Sequence, residues 1–331
     1  MTHQWTADSV LEMIRAFQPA CVLVAAAELD VFGILAAAPL TAEQVTARLQ
    51  ADIRGTTVLL DAAAALGFLA KRGQQYTTAE GIADLLTANG RQSVLAMVHH
   101  QANCLRRWSE LAKVVKTGAP AERRPSVRGE AADYAAFVEA MDNIARTMTA
   151  CLVADLPRLQ FQRVLDVGGA TGSWTIAFLR AYPQAAATLF DLPQVMPQAR
   201  QRLSAVGLIG RVTLAAGDFY KDALPGGCDL AWVSAIVHQN SRQQNRELFA
   251  KLHAALPPGG QVLIRDILME ESRTAPVSGA LFAVNMLVAT QSGGTFTVAE
   301  LSQDLAAAGF RDAKVLRRDE GMHSVLGAIR A

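Results

Sequence analysis

Apolar residues recur at helical spacing from about Ala7 to Leu86, in an Ala-rich stretch with breaks at Gly33, Pro39, Gly55 and Gly67, and predict several short helices. Thr41 followed by Glu43 and Gln44 reads as a helix start. Leu66-Gly67-Phe68-Leu69 and then Gln75-Tyr76-Thr77 read as a tight strand pair after a helix. Helices ending in a small hairpin predict a winged-helix module. The stretch Gly118 to Glu130 combines Pro, Gly and clustered Arg, and reads as a solvated connection whose charges have no partner. Beyond it, Phe137, Met141, Ile144, Met148 and Leu152 repeat at helical spacing across Tyr134 to Leu156, and Pro157 ends that helix.

From Arg163 onward short apolar runs alternate with helical stretches: Val164–Val167, Ala187–Phe190, Val212–Ala215, Leu230–Ile236 and Gln261–Ile267. Such alternation predicts a parallel sheet with crossover helices. The tail differs, because Ala313–Arg318 and Ser324–Ile329 are joined by Asp319-Glu320-Gly321, the pattern of an antiparallel pair at the sheet edge. The expected fold is α/β: a Rossmann-like domain over 159–331, preceded by an α-helical winged-helix domain over 1–105 and a helical linker over 106–158 that contributes to the substrate pocket.

Composition narrows the function. With 331 residues, 51% of them apolar, the chain can build roughly two domains. Lys plus Arg (31) and Asp plus Glu (30) nearly cancel, so no global basic field draws nucleic acid or anionic lipid, and a small ligand is favoured. The start, MTHQWTADSV, lacks a basic, apolar-cored leader, and the apolar stretch from Ala20 to Ala27 stops at Glu28, so a cytoplasmic protein without membrane contact is expected. Cys21, Cys104, Cys151 and Cys228 are scattered without a CxxC pair and read as buried reduced thiols, with no metal site expected. The winged helix's candidate recognition helix, Arg54 to Leu66, offers one Arg and then mostly Ala, Leu, Val and Thr, too few basic and amide groups to read DNA. Its apolar face is expected to pack against a second copy, giving a homodimer through the N-terminal domain.

The chemistry sits at strand ends. The first run of the α/β region leads into Asp166-Val167-Gly168-Gly169-Ala170-Thr171-Gly172-Ser173, with a helix beginning near Trp174. Glycines at a strand-to-helix turn let a ligand approach backbone N–H groups. The turn departs from G-x-G-x-x-G at Ala170, which speaks against a dinucleotide pyrophosphate. The second run ends Leu189-Phe190-Asp191-Leu192-Pro193, placing Asp191 about 20 residues past the turn, where an acid accepts ribose hydroxyls. The third ends Gly217-Asp218-Phe219, a carboxylate and a ring suited to adenine. Alone, each Asp is equally a loop cap; together the three strand ends converge on one crevice.

With DVGGATG, FDLP and GDF in order, and Gly293-Gly294 and Ala308-Gly309-Phe310 toward the end, the chain resembles, over nearly its whole length, the class I small-molecule O-methyltransferases of plants and bacteria. That resemblance implies S-adenosylmethionine as cofactor, a small-molecule acceptor and an N-terminal winged-helix dimerisation region. It places Gly168, Gly169 and Gly172 at the methionine end, Asp191 on the ribose, and Asp218 and Phe219 on adenine, with Asp166, Thr171, Leu192 and Ser234 completing the cofactor set. It makes His238 the catalytic base and Asp266 the acid that orients it; a neutral imidazole suits a phenol as its oxygen attacks a sulfonium methyl. His238 can equally be a loop-edge residue, and Asp266 can equally pair with Arg265, Arg273 or a backbone amide. Met141, Asn143, Asn285 and Met286 occupy the family's acceptor positions, although Met at helical spacing is as often core. His99-His100 can touch substrate, while His3, His253 and His323 read as surface or packing residues.

The chain departs from the family at three places. Gln239-Asn240 replace Asp-Trp after the base, Ser234 replaces a Lys four residues before it, and Gly293-Gly294-Thr295-Phe296-Thr297 lacks the acid of the family's GG-Lys/Arg-Glu-Arg-Thr stretch. Carbon or nitrogen methylation, known in the family, therefore stays an alternative to O-methylation. An NAD-type dehydrogenase and a winged-helix regulator are the rivals of another class.

Overall fold

The computed structural model describes residues 5–331; His3 and the side chains at 142 and 144–147, Ile144 among them, lie outside the described residues. The chain divides into two units, one formed by the residues up to Ser109 with Glu122–Asn143, the other by Glu110–Ala121 with Ile144–Ala331.

The first unit runs α1 (Ala7–Arg15), α2 (Phe17–Glu28), α3 (Val31–Ala37), β1 (Leu40–Thr41), α4 (Ala42–Leu49), α5 (Ile53–Ala65), β2 (Leu69–Arg72), β3 (Gln75–Thr78), α6 (Ile82–Leu86) and α7 (Leu95–Trp108). Thr41 starts α4 through a reciprocal cap with Gln44, as its spacing predicts. The expected breaks at Gly33 and Gly55 are not breaks. Asp52 caps α5 by accepting from Gly55 N at 2.7 Å, so Gly55 lies in the first turn. Gly33 lies inside α3, where a Cβ would stand 2.4 Å from Asp30 Oδ1. The antiparallel sheet β1-β3-β2 forms the wing. Tyr76 donates to Asp61 at 2.7 Å and so pins the wing to α5, over a core of Phe32, Leu35, Val45 and Leu60.

α1 buries no side chain and exposes Val10, Leu11, Met13 and Ile14, continued by Phe17. By length and composition alone, Ala7–Glu28 is apolar enough to cross a membrane, although the helix is interrupted between Arg15 and Phe17. In the Gly118–Glu130 connection, Ser126 binds buried Asp133 through its N–H and hydroxyl, and Arg124 approaches Glu122 at 3.8 Å, so its polar groups do find partners. Of the four thiols, Cys104 and Cys228 are buried but Cys21 and Cys151 are exposed, on helix faces that their own unit leaves uncovered; none is in a disulfide.

The second unit begins with α8 (Leu111–Thr117) and the second half of α9 (Glu130–Asp155), then β4 (Arg163–Val167), α10 (Ser173–Ala181), β5 (Ala186–Asp191), α11 (Met196–Ala205) and β6 (Val212–Ala216). It continues with β7 (Leu230–Ser234), α12 (Arg242–Ala255), β8 (Gln261–Asp266), β9 (Leu268–Met269), α13 (Val277–Ala289), β10 (Phe296–Thr297), α14 (Val298–Ala307), β11 (Phe310–Arg317) and β12 (Ser324–Arg330). The sheet has seven strands in the order β11-β12-β8-β7-β4-β5-β6, with β11 and β12 antiparallel at one edge and the other five parallel. Side chains alternate between its faces. Val164, Trp232, Leu263 and Val325 join one core with α9 and α10, while Leu165, Val233, Ile264 and Leu326 join another with α12 and α14.

β7 is two residues shorter than its apolar run. Ala235 turns left-handed at φ 56° and donates to Arg265 O at 2.9 Å, sending Ile236 and His238 away from the sheet. Asp304 on α14 is fully buried and accepts from Arg242 Nη2 at 2.8 Å and Arg246 Nε at 2.6 Å, joining α12 to α14. Both arginines are partly exposed and can return to water when the carboxylate is removed. Asp304→Ala is therefore expected to cost about 1–3 kcal/mol, below the loss for a fully buried pair, and a urea titration of the two proteins reads the difference.

Candidate active site

The glycine turn follows from the pairing beneath it. β4 and β5 run parallel with Val167 beside Phe190, and Gly168 N donates to Phe190 O at 2.8 Å as β4 leaves the sheet. Gly168 then turns left-handed at φ 66°, and a Cβ there would stand 2.8 Å from Ile236 Cδ1 and 3.9 Å from the Phe219 ring. One point thus gathers the turn after β4, the loop after β6 and the turn after β7. Gly172, at φ 87°, opens α10. Ala170 also takes a left-handed φ of 46°, a strained conformation for an L residue. Its N–H donates to Asp191 Oδ2 at 2.7 Å, which holds the backbone there.

Asp191 ends β5 and accepts a second bond, from Leu192 N at 2.7 Å, so two backbone groups orient its carboxylate at the strand edge. Asp166 lies on the other side of the turn. It is buried and accepts from Thr175 N at 3.1 Å and Thr175 Oγ1 at 2.7 Å, tying β4 to α10 beneath Gly169. Burial pushes its carboxyl up to about 6, with the charge of Asp191 adding to the effect. Thr171 Oγ1 takes a hydrogen bond from Arg202. Asp218 accepts from Tyr220 N at 2.9 Å, and this backbone bond holds its carboxyl below the usual range, with Lys221 contributing. Phe219 packs on Tyr220 with centroids 4.5 Å apart. Ser234 ends β7, its hydroxyl taking a bond from Arg265 Nη1 at 3.0 Å.

His238 sits on a 3-10 turn, Val237–Gln239. Its Nδ1 lies 3.0 and 2.9 Å from the two oxygens of Asp266, whose side chain is 2% exposed. A buried carboxylate on Nδ1 favours the tautomer with the proton there, leaving Nε2 as an acceptor. Ile267 N donates to Asp266 Oδ1 at 2.8 Å and fixes the acid in turn. Phe282 on α13 stands edge-on to the imidazole, 4.9 Å away. Gly294 N donates to His238 O at 2.8 Å, and a Cβ on Gly293 would come within 2.6 Å of that oxygen, so a glycine is needed at 293, whereas position 294 has open space. Among the described residues Asp266 is the one carboxylate on this imidazole. Glu300, the first acid after the glycine pair, instead caps α14 and binds Arg273.

Three supports were not legible beforehand. Tyr220 OH donates to Asn240 at 2.6 Å, Asn240 to Asn245 at 2.9 Å, and Asn245 to Val237 O at 3.1 Å, so a buried amide chain holds the turn that carries His238. The departure from Asp-Trp at Gln239-Asn240 was its only signal. Asn285 and Met286 follow Phe282 on α13 by one turn; Met286 is buried, so Asn285 is the better placed of the two to meet a ligand. Met141 and Asn143 belong to the first unit, Met141 exposed and Asn143 half-buried. His99 there is buried against Ala27 O at 3.2 Å, and His100 packs on Phe137, so both are occupied in packing. His253 packs on Phe310, as expected of it. A surface depression lined by Gln162, Arg163, Asp229 and Pro257 lies at the opposite, N-terminal edge of the sheet, away from all of these groups.

The left-handed glycines, the carboxylate at the end of β5 and the ring at the end of β6 fit an adenosine ligand with an amino-acid tail, since no Cβ fills the turn. Because burial raises the Asp166 carboxyl above its unfolded value near 3.8, its stabilising contribution is present below about pH 4 and is lost as pH rises to about 6. Wild type is expected to lose roughly 2–3 kcal/mol relative to Asp166→Asn across that window. Urea midpoints of the ligand-free proteins at pH 4 and pH 6.5 test it; a constant difference between the two proteins contradicts it.

Two family models match the chain: an O-methyltransferase domain over residues 124–311 and an O-methyltransferase dimerisation domain over residues 11–94. The 3-hydroxy-5-methyl-1-naphthoate 3-O-methyltransferase of Streptomyces sahachiroi is 32% identical over 315 residues, 93% of this chain and 91% of that protein. The tetracenomycin polyketide synthesis 8-O-methyl transferase TcmO of Streptomyces glaucescens is 30% identical, over 95% of this chain and 94% of its own. Human N-acetylserotonin methyltransferase, crystallised with S-adenosylmethionine, superposes with a TM-score of 0.80 at 26% identity, over 100% of this chain and 99% of that one. The glycine turn, the strand-end acids and the carboxylate-bound His238 thus stand in a chain that belongs to the S-adenosylmethionine-dependent O-methyltransferases, with their dimerisation domain ahead of the catalytic one.

Proposed function

We propose that the protein methylates a hydroxyl on an aromatic or polyketide-like small molecule, with His238 as general base. The observation that carries the reading is the His238–Asp266 pair, 2.9 Å apart, at the strand edge where the glycine turn also opens. The two Streptomyces relatives, whose names specify a naphthoate and a tetracenomycin polyketide, support the acceptor class.

S-adenosylmethionine supplies a methyl group on a positively charged sulfur. The chain's task is to hold an acceptor oxygen in line with that carbon and to take its proton. With the methyl donor and an acceptor bound, His238 Nε2 would take the proton of the acceptor hydroxyl, and Asp266 would stabilise the imidazolium that results. Phe282 restricts the imidazole from one side, and Asn285 on the same helix face contacts the acceptor. On the cofactor side we assign the ribose hydroxyls to Asp191, adenine to Asp218 and Phe219, and the methionine end to the glycine turn; Asp166 acts through Thr175 by shaping that turn. Alignment supplies most of the acceleration, and the base a further 10²–10⁴-fold or so.

That Asp266 is the one carboxylate on His238 among the described residues favours a second reading, an amine acceptor, whose neutral nitrogen attacks without prior loss of a proton. His238→Ala separates the two. For a phenolic acceptor, turnover is expected to fall about 10²–10⁴-fold with S-adenosylhomocysteine affinity retained; undiminished turnover removes His238 from the mechanism. Asp191→Ala is expected to abolish that affinity in calorimetry.

We further infer a homodimer through α1 and α2, since Met13 and Ile14 are 62% and 65% exposed within the segment that matches the dimerisation domain. Ile14→Glu is expected to shift the protein toward monomer in sedimentation velocity, and an unchanged sedimentation coefficient counts against that face.

A further inference from the structure

Arg265 is a cation buried in the sheet with no carboxylate in direct contact among the described residues, although the charges of Asp266 and Asp319 act on it from farther off. It is 5% exposed, on the face of β8 opposite its neighbour Asp266, and among the described residues no carboxylate pairs with it. Its guanidinium lies over the Trp174 ring, 5.0 Å from its centre, and donates to Ser234 Oγ at 3.0 Å and to His323 Nδ1 at 2.8 Å, with Met148 Sδ at 3.7 Å. The His323 contact needs that imidazole neutral, and burial and the Arg265 charge both press it that way. Burial likewise pulls the Arg265 guanidinium down to about 10. Its Nε–H has no hydrogen-bond partner among the described residues, and neither does the buried Nε1–H of Trp232, two residues before Ser234 on the same face. Trp232 in turn packs on Trp174 at 4.9 Å. Two buried donors, one of them charged, therefore flank the residue with which α10 leaves the glycine turn. A desolvated cation with an unused Nε–H is costly unless an acceptor arrives.

Register connects this to the sequence. Ser234 stands where the family carries a Lys, and Arg265 is the residue paired with it across β7 and β8. The positive charge has moved one strand over and is carried back onto Ser234 by a longer side chain. We propose that Arg265 is the group that recognises the α-carboxylate of the cofactor's amino-acid tail, in place of a cation at position 234. A guanidinium with a free Nε–H suits a carboxylate, and the tail enters at the glycine turn. The assignment rests on the cofactor, which S-adenosylhomocysteine binding tests separately.

Calorimetry with S-adenosylhomocysteine and its decarboxylated analogue S-adenosyl-3-thiopropylamine decides it. Wild type is expected to prefer the carboxylated ligand by about 10- to 100-fold. Arg265→Met should erase that preference by weakening S-adenosylhomocysteine alone, Arg265→Lys should keep part of it, and adding Ser234→Lys to Arg265→Met should restore it. Equal wild-type affinity for the two ligands overturns the proposal without any variant. So does an Arg265→Met protein that keeps the preference, or one that loses both ligands to the same extent. A wild type that binds neither ligand contradicts the cofactor and this assignment with it.

Discussion

The parallel pairing of β4 with β5 and β7, and of β7 with β8, is the constraint on which the site depends. Parallel strands share a direction, so the loops that follow them leave from one edge. Register then decides which loop residues meet. Val167 lies beside Phe190 and Val233, and Ser234 beside Arg265, so the glycine turn, Asp191, the His238 turn and Asp266 begin within a strand spacing or two of one another. A slip of one residue in β8 would exchange the faces of Arg265 and Asp266 and detach His238 from Asp266.

That edge is also where charged groups are taken out of water, and each is compensated differently. Asp166 has a hydroxyl and a backbone N–H from Thr175, and still holds its proton more tightly than an exposed carboxyl. Asp266 has the imidazole of His238 and the N–H of Ile267. Asp304, far from the chemistry, has two arginines and serves packing. Arg265 has a hydroxyl, a neutral imidazole, a thioether and an aromatic face, which leave its Nε–H without a partner and its charge without a paired carboxylate among the described residues. The contrast separates a charge placed to hold the fold from one placed to meet a ligand.

What the sequence made legible is what local chemistry dictates. The Thr41–Gln44 cap, the apolar runs, the glycine turn and the acids ending β5 and β6 all announce themselves within a few residues. His238 and Asp266 were legible through the family likeness, and their contact follows from a register that no short window contains. Gly33 and Gly55 misled because a glycine marks a break only when nothing caps or crowds it; Asp52 and Asp30 do so here. β7 ran long on paper because Ala235 is apolar, yet its left-handed backbone turns it out of the sheet. The thiols of Cys21 and Cys151 looked like core because helical spacing hides which face a unit leaves open. The Tyr220–Asn240–Asn245 chain was out of reach, since three polar residues in two loops and the first turn of α12 carry no shared period.

That chain suggests how the two halves of the reaction are kept in register with each other. Tyr220 follows Phe219, assigned to adenine, and its backbone is bonded to Asp218. Its hydroxyl reaches Asn240, directly after the turn of the base, and the amides pass the contact to Val237 O within the turn itself. Where the family pattern has Trp, this chain has Asn240, a hydrogen-bonded amide that fixes direction as well as position. Since alignment of oxygen, carbon and sulfur supplies most of the barrier reduction, under the proposed mechanism this chain of hydrogen bonds would fix His238 relative to the loop of Asp218 and Phe219, alongside Asp266, the one carboxylate that meets the imidazole among the described residues.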